Sequence, residues 1–169
     1  MSGFTLLELV VVLLIFSLFF STVYLGLENT LSGGDLKLAG RMIVNEVARA
    51  RGDAAAAREE RLLRFDLEKD RIYLVAPKRP AKEGVQAQEE LQYPPRPLPR
   101  GVMLEDLVIG AKEKVQSGEV DLRFFSNGSM DRALVHIRNE ENQVLTLALN
   151  PLTGQVSLRE GYVDERLSK

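Results

Sequence analysis

Between residues 4 and 27 the chain reads FTLLELVVVLLIFSLFFSTVYLGL, and Glu8 is the only charged side chain in it. Wound as a helix, these 24 residues extend about 36 Å at roughly 1.5 Å per residue, enough to cross a hydrocarbon core of about 30 Å. The β-branched run at residues 10–12 is poor helix material in water. In lipid every backbone polar group must be bonded within the segment, and the helix wins. A cleaved secretory signal fits less well, because it needs a basic start, a shorter apolar core and a small-residue cleavage site. Only Met1, Ser2 and Gly3 precede this run.

Gly33-Gly34 interrupts the helical pattern, and Asp35 is placed to cap a new start. Beyond it, Leu36, Ala39, Ile43, Val47, Ala50, Ala54 and Ala57 recur at spacings of three and four, one stripe of an amphipathic helix. The opposite face carries Lys37, Arg41, Asn45, Arg49, Asp53 and Glu60. The pattern therefore predicts one long helix, membrane-embedded over residues 4–27 and amphipathic over residues 28–60, with a kink at the glycines.

After Glu60 the period changes to two. Residues 62–67 and 71–76 read as paired strands joined by Glu68-Lys69-Asp70. Residues 77–101 hold six of the seven prolines and read as a long loop, since proline removes ladder donors. Alternation returns at Val120, Leu122 and Phe124, then at Ala133, Val135 and Ile137. Turn chemistry separates the runs at residues 126–129, 139–142 and 150–154. The near-continuous apolar run at residues 144–149 predicts a central strand. Val156 and Leu158 open a last strand, and the polar tail from Gly161 is expected to fray. The sum is an α+β plan: a long N-terminal helix packed on an antiparallel β-sheet head spanning residues 61–169.

Composition changes this picture little. The chain has 169 residues, 45% hydrophobic and 27% charged, with a formal net charge of -2, which gives no general reason to expect a nucleic-acid partner. With no cysteine and a single histidine, His136, thiolate metal sites and two-histidine sites are excluded. His136 alternates with apolar neighbours beside Arg138 and reads as a surface or pocket-lining residue. Ser126 and Ser129 flank a turn without a His-Asp pattern. No convergent polar cluster is legible, so neither an enzyme nor a cofactor or metal site is expected. Arg41, Arg49, Arg51 and Arg58 read as a solvated helix face, available to acids of a neighbouring subunit in an assembly.

The start, GFTLLELVVVLLIF, combines a glycine, an aromatic, a glutamate four residues on and an unbroken apolar helix. Over about residues 3–18 it resembles the class III signal of type IV pilins and of type II secretion pseudopilins. The resemblance implies a pilin-like fold and a leader of residues 1–3. A prepilin peptidase would cut between Gly3 and Phe4 on the cytoplasmic side and methylate the new amino terminus of Phe4. It also implies an assembly role for Glu8, pairing with the terminal ammonium of a neighbouring subunit. A carboxylate in that position costs about 2.5–3.5 kcal/mol on insertion scales, and the ammonium offsets it. The family's leader usually carries basic residues and this one carries none; Lys37 and Arg41 instead follow the helix, which by the positive-inside rule opposes the implied orientation.

The blocks LRFFSNGSM at residues 122–130 and NPLTGQVSL at residues 150–158, with the strands at 133–137 and 144–149, resemble the H-type minor pseudopilin of type II secretion and a related minor pilin of type IV pili. That resemblance implies a filament subunit that supports protein export across the outer membrane. Its partners would be other pseudopilins or pilins, the prepilin peptidase and inner-membrane lipid, its place a single-pass inner-membrane protein with a periplasmic head. The alternative it implies is a minor type IV pilin acting in pilus assembly or DNA uptake. Against DNA, the tail carries Glu160, Asp164 and Glu165 with Arg166 alone nearby, an unfavourable surface for phosphate. Asp164 and Glu165 supply too few oxygens for a calcium loop of the kind the major pseudopilin carries.

Overall fold

The computed structural model describes residues 6–76, 91–110 and 114–164, and within its helix the side chains outside residues 18–33. One helix, α1 (Leu6–Ala57), is followed by eight strands: β1 (Arg61–Asp66), β2 (Arg71–Val75), β3 (Arg96–Pro97), β4 (Val102–Ile109), β5 (Glu119–Phe124), β6 (Ala133–Asn139), β7 (Val144–Leu149) and β8 (Val156–Glu160). The chain divides into two compact units, residues 1–34 and residues 35–169. Helical hydrogen bonding runs through Gly33-Gly34, so residues 6–57 form one helix.

In the second unit the predicted stripe is the buried one. Ala39, Ile43, Ala50 and Ala54 are fully inaccessible, with Leu36 and Val47 nearly so. Ala57, expected to complete the stripe, is exposed. It is the last helical residue, and Arg58 takes a positive φ of 54° that ends the helix. Short residues on this stripe let strands approach. A Cβ on Gly40 would lie 2.9 Å from methyl carbons of both Leu145 and Leu158.

The strands form two antiparallel sheets, β3-β2-β1-β5 and β4-β6-β7-β8. Register sorts their faces. In the first sheet Leu74, Leu63 and Leu122 align across three strands, as do Ile72, Phe65 and Val120, and all are buried. In the second, Leu107, Val135, Leu147 and Leu158 align. These rows, apart from the exposed Leu158, share one apolar core with the helix stripe. Polar pairs sit on the other faces. Arg64 lies opposite both Tyr73 and Asp121 and grips Asp121 with two bonds, of 2.6 and 2.8 Å.

β7 is central in its sheet, as its apolar run predicts. β4 shows no clean alternation in sequence for a local reason: its register shifts between Leu104 and Asp106, and a bulge breaks period two. The turn after β1 is built by Asp66, whose Oδ1 accepts the amides of Glu68 and Lys69. Asp70, at φ 46°, then reaches from this turn to the other sheet, accepting the Leu104 amide at 2.8 Å.

Of the Pro-rich stretch expected to be a loop over residues 77–101, residues 77–90 lie outside the described residues. The remainder is packed. Leu98 is buried, Pro97 sits in the short edge strand β3, where a missing amide costs least, and Arg96 pairs with buried Glu46 at 3.0 Å.

Candidate assembly interface

Gly3 and Phe4 lie outside the described residues, so the expected processing site has no geometry here. Glu8 falls in the first helical turn, where an acid is favoured by the unpaired amides of the helix start, and its side chain is exposed. The residues that follow carry large apolar side chains on every face. Leu6 is 84% exposed, Leu9 57%, Leu13 60% and Phe16 56%, and all residues from 6 to 17 are exposed. A helix apolar around its whole circumference has no solvated face and must be embedded in lipid or in other apolar helices. Its one hydroxyl among these residues is already satisfied, since Ser17 Oγ donates to the Leu14 carbonyl at 2.8 Å. Among the described residues no helix is long and apolar enough to cross a membrane. The expected span at residues 4–27 falls partly on side chains outside the description.

The arginine-bearing face of the helix is not the uniform solvated surface expected from its pattern. Arg51 Nε donates to the Gly128 carbonyl at 2.7 Å, and its Nη1 donates to the Thr153 carbonyl. Arg49 stacks over the Tyr93 ring at 3.8 Å. Arg41 and Arg58 remain exposed. Two of the four side chains thus hold the head together.

His136 also departs from expectation. It is fully buried, because residues 161–163, expected to fray, lie across its strand: Tyr162 stacks on the imidazole with ring centroids 4.1 Å apart. Its Nδ1 lies 2.7 Å from Asp106 Oδ1. Burial by itself would raise the Asp106 carboxyl, but His136 and Lys114 outweigh it and hold it below its ordinary value. His136 and Asp106 are both inaccessible to solvent, while Tyr162 above them is partly exposed. Sequence reasoning missed this cluster because Asp106 and His136 meet only through strand register. The available signals were an acid inside an apolar strand and a Gly-Tyr pair just after the last one. Among the described residues no group of three potential metal ligands converges.

Residues 1–24 match the prokaryotic N-terminal methylation motif. The fold of the chain is that of the minor pseudopilin EpsH from the type 2 secretion system of Vibrio cholerae. One solved structure superimposes with a TM-score of 0.57 at 14% identity, over 77% of this chain and 99% of that one. A crystal structure of the same protein gives 0.56 at 15% identity, over 78% and 98%. A search of curated protein sequences finds no match.

Proposed function

We propose that this chain, pilin-like in its N-terminal motif and in the fold of its head, is a minor pseudopilin that joins a periplasmic filament and supports protein export through a type II secretion system. Its role is structural, and its head carries no reaction. The observation that carries this reading is the methylation motif at residues 1–24 leading into a helix whose residues 6–17 expose apolar side chains on all faces. Such a surface is stable in the inner membrane before assembly and against the apolar helices of other pilin-like subunits after it.

The chemistry of entry follows from Gly3, Phe4 and Glu8. Gly3 presents no side chain to a peptidase cleft and allows an extended backbone. Cleavage after it by a prepilin peptidase creates an ammonium on Phe4, which methylation leaves charged. Glu8 lies about one helical turn further on. In a packed helix bundle the Glu8 carboxylate of one subunit and the Phe4 ammonium of the next neutralise each other. That pair fixes the axial stagger between helices while packing supplies the bulk of the attraction.

Mass spectrometry of the N-terminus of protein isolated from membranes tests the reading. The expected terminus is N-methyl-Phe4. Retention of Met1, or loss of the entire apolar segment, overturns it. Cross-linking in the membrane distinguishes a filament subunit, which gives ladders with other pilin-like chains, from a solitary anchor, which gives none.

A further inference from the structure

The register of the second sheet sets Asp106, His136, Thr146 and Arg159 in one transverse row across its four strands, Asp106 opposite His136, His136 opposite Thr146, and Thr146 opposite Arg159. The flanking Val135 and Ile137 belong to the core, so this row faces away from it. The chain leaves β8 through Gly161, whose φ of 87° turns it back over the row. Thr146 pins it from both sides: its hydroxyl donates to the Gly161 carbonyl at 2.7 Å and accepts the Val163 amide at 3.0 Å. Tyr162 covers the imidazole, and the Val163 carbonyl lies 3.1 Å from His136 Nε2.

Both imidazole nitrogens therefore face oxygens. The Val163 carbonyl can only accept. Asp106, ionised in this setting, can only accept as well. A neutral imidazole has one N–H and one lone pair, so it satisfies one of these oxygens and turns its lone pair on the other. The imidazolium satisfies both. We infer that residues 161–163 form a pH-operated strap, fastened by the doubly protonated ring of His136 and loosened when that ring gives up a proton.

The neighbours decide which bond is lost. Asp106 on β4 has its second oxygen 3.1 Å from Lys114 Nζ, and Lys114 also reaches the Tyr162 hydroxyl at 3.1 Å. Lys114 opposes the imidazolium as a like charge, but it acts through the far oxygen of Asp106, which lies between them. Tyr162 OH sits 3.4 Å from Asp106 Oδ1. Arg138, two residues along β6, is engaged by Glu105 at 3.2 Å, and Arg159 stands beyond Thr146 in the row. The Asp106 carboxylate touches the ring at Nδ1. Withdrawing the Nδ1 proton strips a donor from a buried carboxylate, whereas withdrawing the Nε2 proton strips one from a neutral carbonyl. The second is the smaller loss, so deprotonation falls on Nε2 and the strap is what lets go. The Thr146 hydroxyl is then left to hold the strap alone, and the Val163 amide it accepts opens to exchange more often.

His136 is the only histidine in the chain, so nitrogen NMR of the full chain in detergent micelles reads its state without ambiguity. The expected result is two protonated ring nitrogens wherever the Val163 amide is protected from exchange. Corrected for intrinsic rates, that protection should fall about tenfold or more once the nitrogen spectrum shows the ring singly protonated. A neutral ring beneath a protected Val163 amide overturns the proposal, as does protection that stays constant through the titration. His136→Gln should abolish the dependence of that protection on pH. Thr146→Val should lower protection at every pH while leaving the dependence in place; loss of the dependence in Thr146→Val overturns the assignment to His136. If His136→Gln fails to fold, the wild-type titration alone decides.

Discussion

Arg51 Nε donates to the carbonyl of Gly128 at 2.7 Å, across 77 residues of sequence. The same guanidinium reaches the Thr153 carbonyl, so one helical side chain ties down the turn between β5 and β6 and the turn between β7 and β8. It lies in a notch kept open by Gly154, where a Cβ would overlap the guanidinium. Charged donors to buried or half-buried carbonyls contribute roughly 1.5–3 kcal/mol each at best, and solvent at the Thr153 end reduces the sum. Arg51→Ala should therefore destabilise the head by about 1–2 kcal/mol. Arg51→Lys should recover little, because an ammonium lacks the planar fork that serves two carbonyls at once. Urea unfolding of a fragment beginning at Asp35, where the second compact unit starts, measures both.

The two turns that meet at Arg51 belong to the sequence blocks at residues 122–130 and 150–158, and their chemistry is local. Asn127 accepts the Ser129 amide, and Asn150 accepts the amides of Leu152 and Thr153. Such contacts, like the buried helix stripe and the alternation of β5 and β6, are legible one residue at a time. The cluster of Asp106, His136 and Tyr162 is not, because three strands and a chain reversal bring it together. His136 stands among apolar neighbours as an outward residue should, and it does point outward. What hides it is a tail whose polarity predicts disorder. The candidate assembly residues show the opposite pattern. Glu8 and the apolar run declare themselves in sequence, while the assembly proposed for them involves other chains.

Two helix glycines separate propensity from packing. A Cβ on Gly52 meets nothing within 4 Å, so Gly52→Ala should stabilise the head by about 0.5–1 kcal/mol through helix propensity. Gly40 offers the same propensity gain, but its Cβ would press on Leu145 and Leu158 at 2.9 Å. Leu158 is 43% exposed and free to give way, whereas Leu145, 3% exposed, is held in the core. Gly40→Ala should come out within about 1 kcal/mol of neutral and Gly40→Leu about 1–3 kcal/mol unstable. Thermal unfolding of the three variants orders them.

Asp66 sets an acid limit on the head. It is 2% exposed, and burial alone would raise its carboxyl. The Arg71 guanidinium at 2.9 Å and the Lys69 amide outweigh burial and hold it below the ordinary value of 3.8. Because the folded value is the lower one, ionised Asp66 contributes stability fully present above about pH 4 to 5, lost as pH falls through the folded value. Asp66→Asn should lower stability at neutral pH by about 1–3 kcal/mol and flatten the acid side of the profile. Denaturant midpoints collected from pH 7 down to the acid transition give the slope, and a wild-type slope retained in Asp66→Asn would assign the acid sensitivity elsewhere.

Glu8 allows the processing and assembly steps to be taken apart. It stands in the first helical turn, four positions beyond Phe4, with an exposed side chain. In the processing proposed above, peptidase cleavage acts on the Gly3–Phe4 bond, so Glu8→Ala should leave N-methyl-Phe4 at the terminus and membrane levels close to wild type. Incorporation into a filament should fall, since the next subunit's ammonium would enter an apolar bundle without its counter-charge, a loss of several kcal/mol in low dielectric. Glu8→Gln keeps the shape and hydrogen-bonding capacity but not the charge. If pairing with an ammonium is what Glu8 supplies, Gln should fail nearly as completely as Ala; if Glu8 only donates shape or caps its own helix, Gln should restore assembly. Cross-linking yields of both variants against wild type, normalised to the processed protein in the membrane, decide between them, and wild-type yield for Glu8→Ala would remove the pairing role altogether.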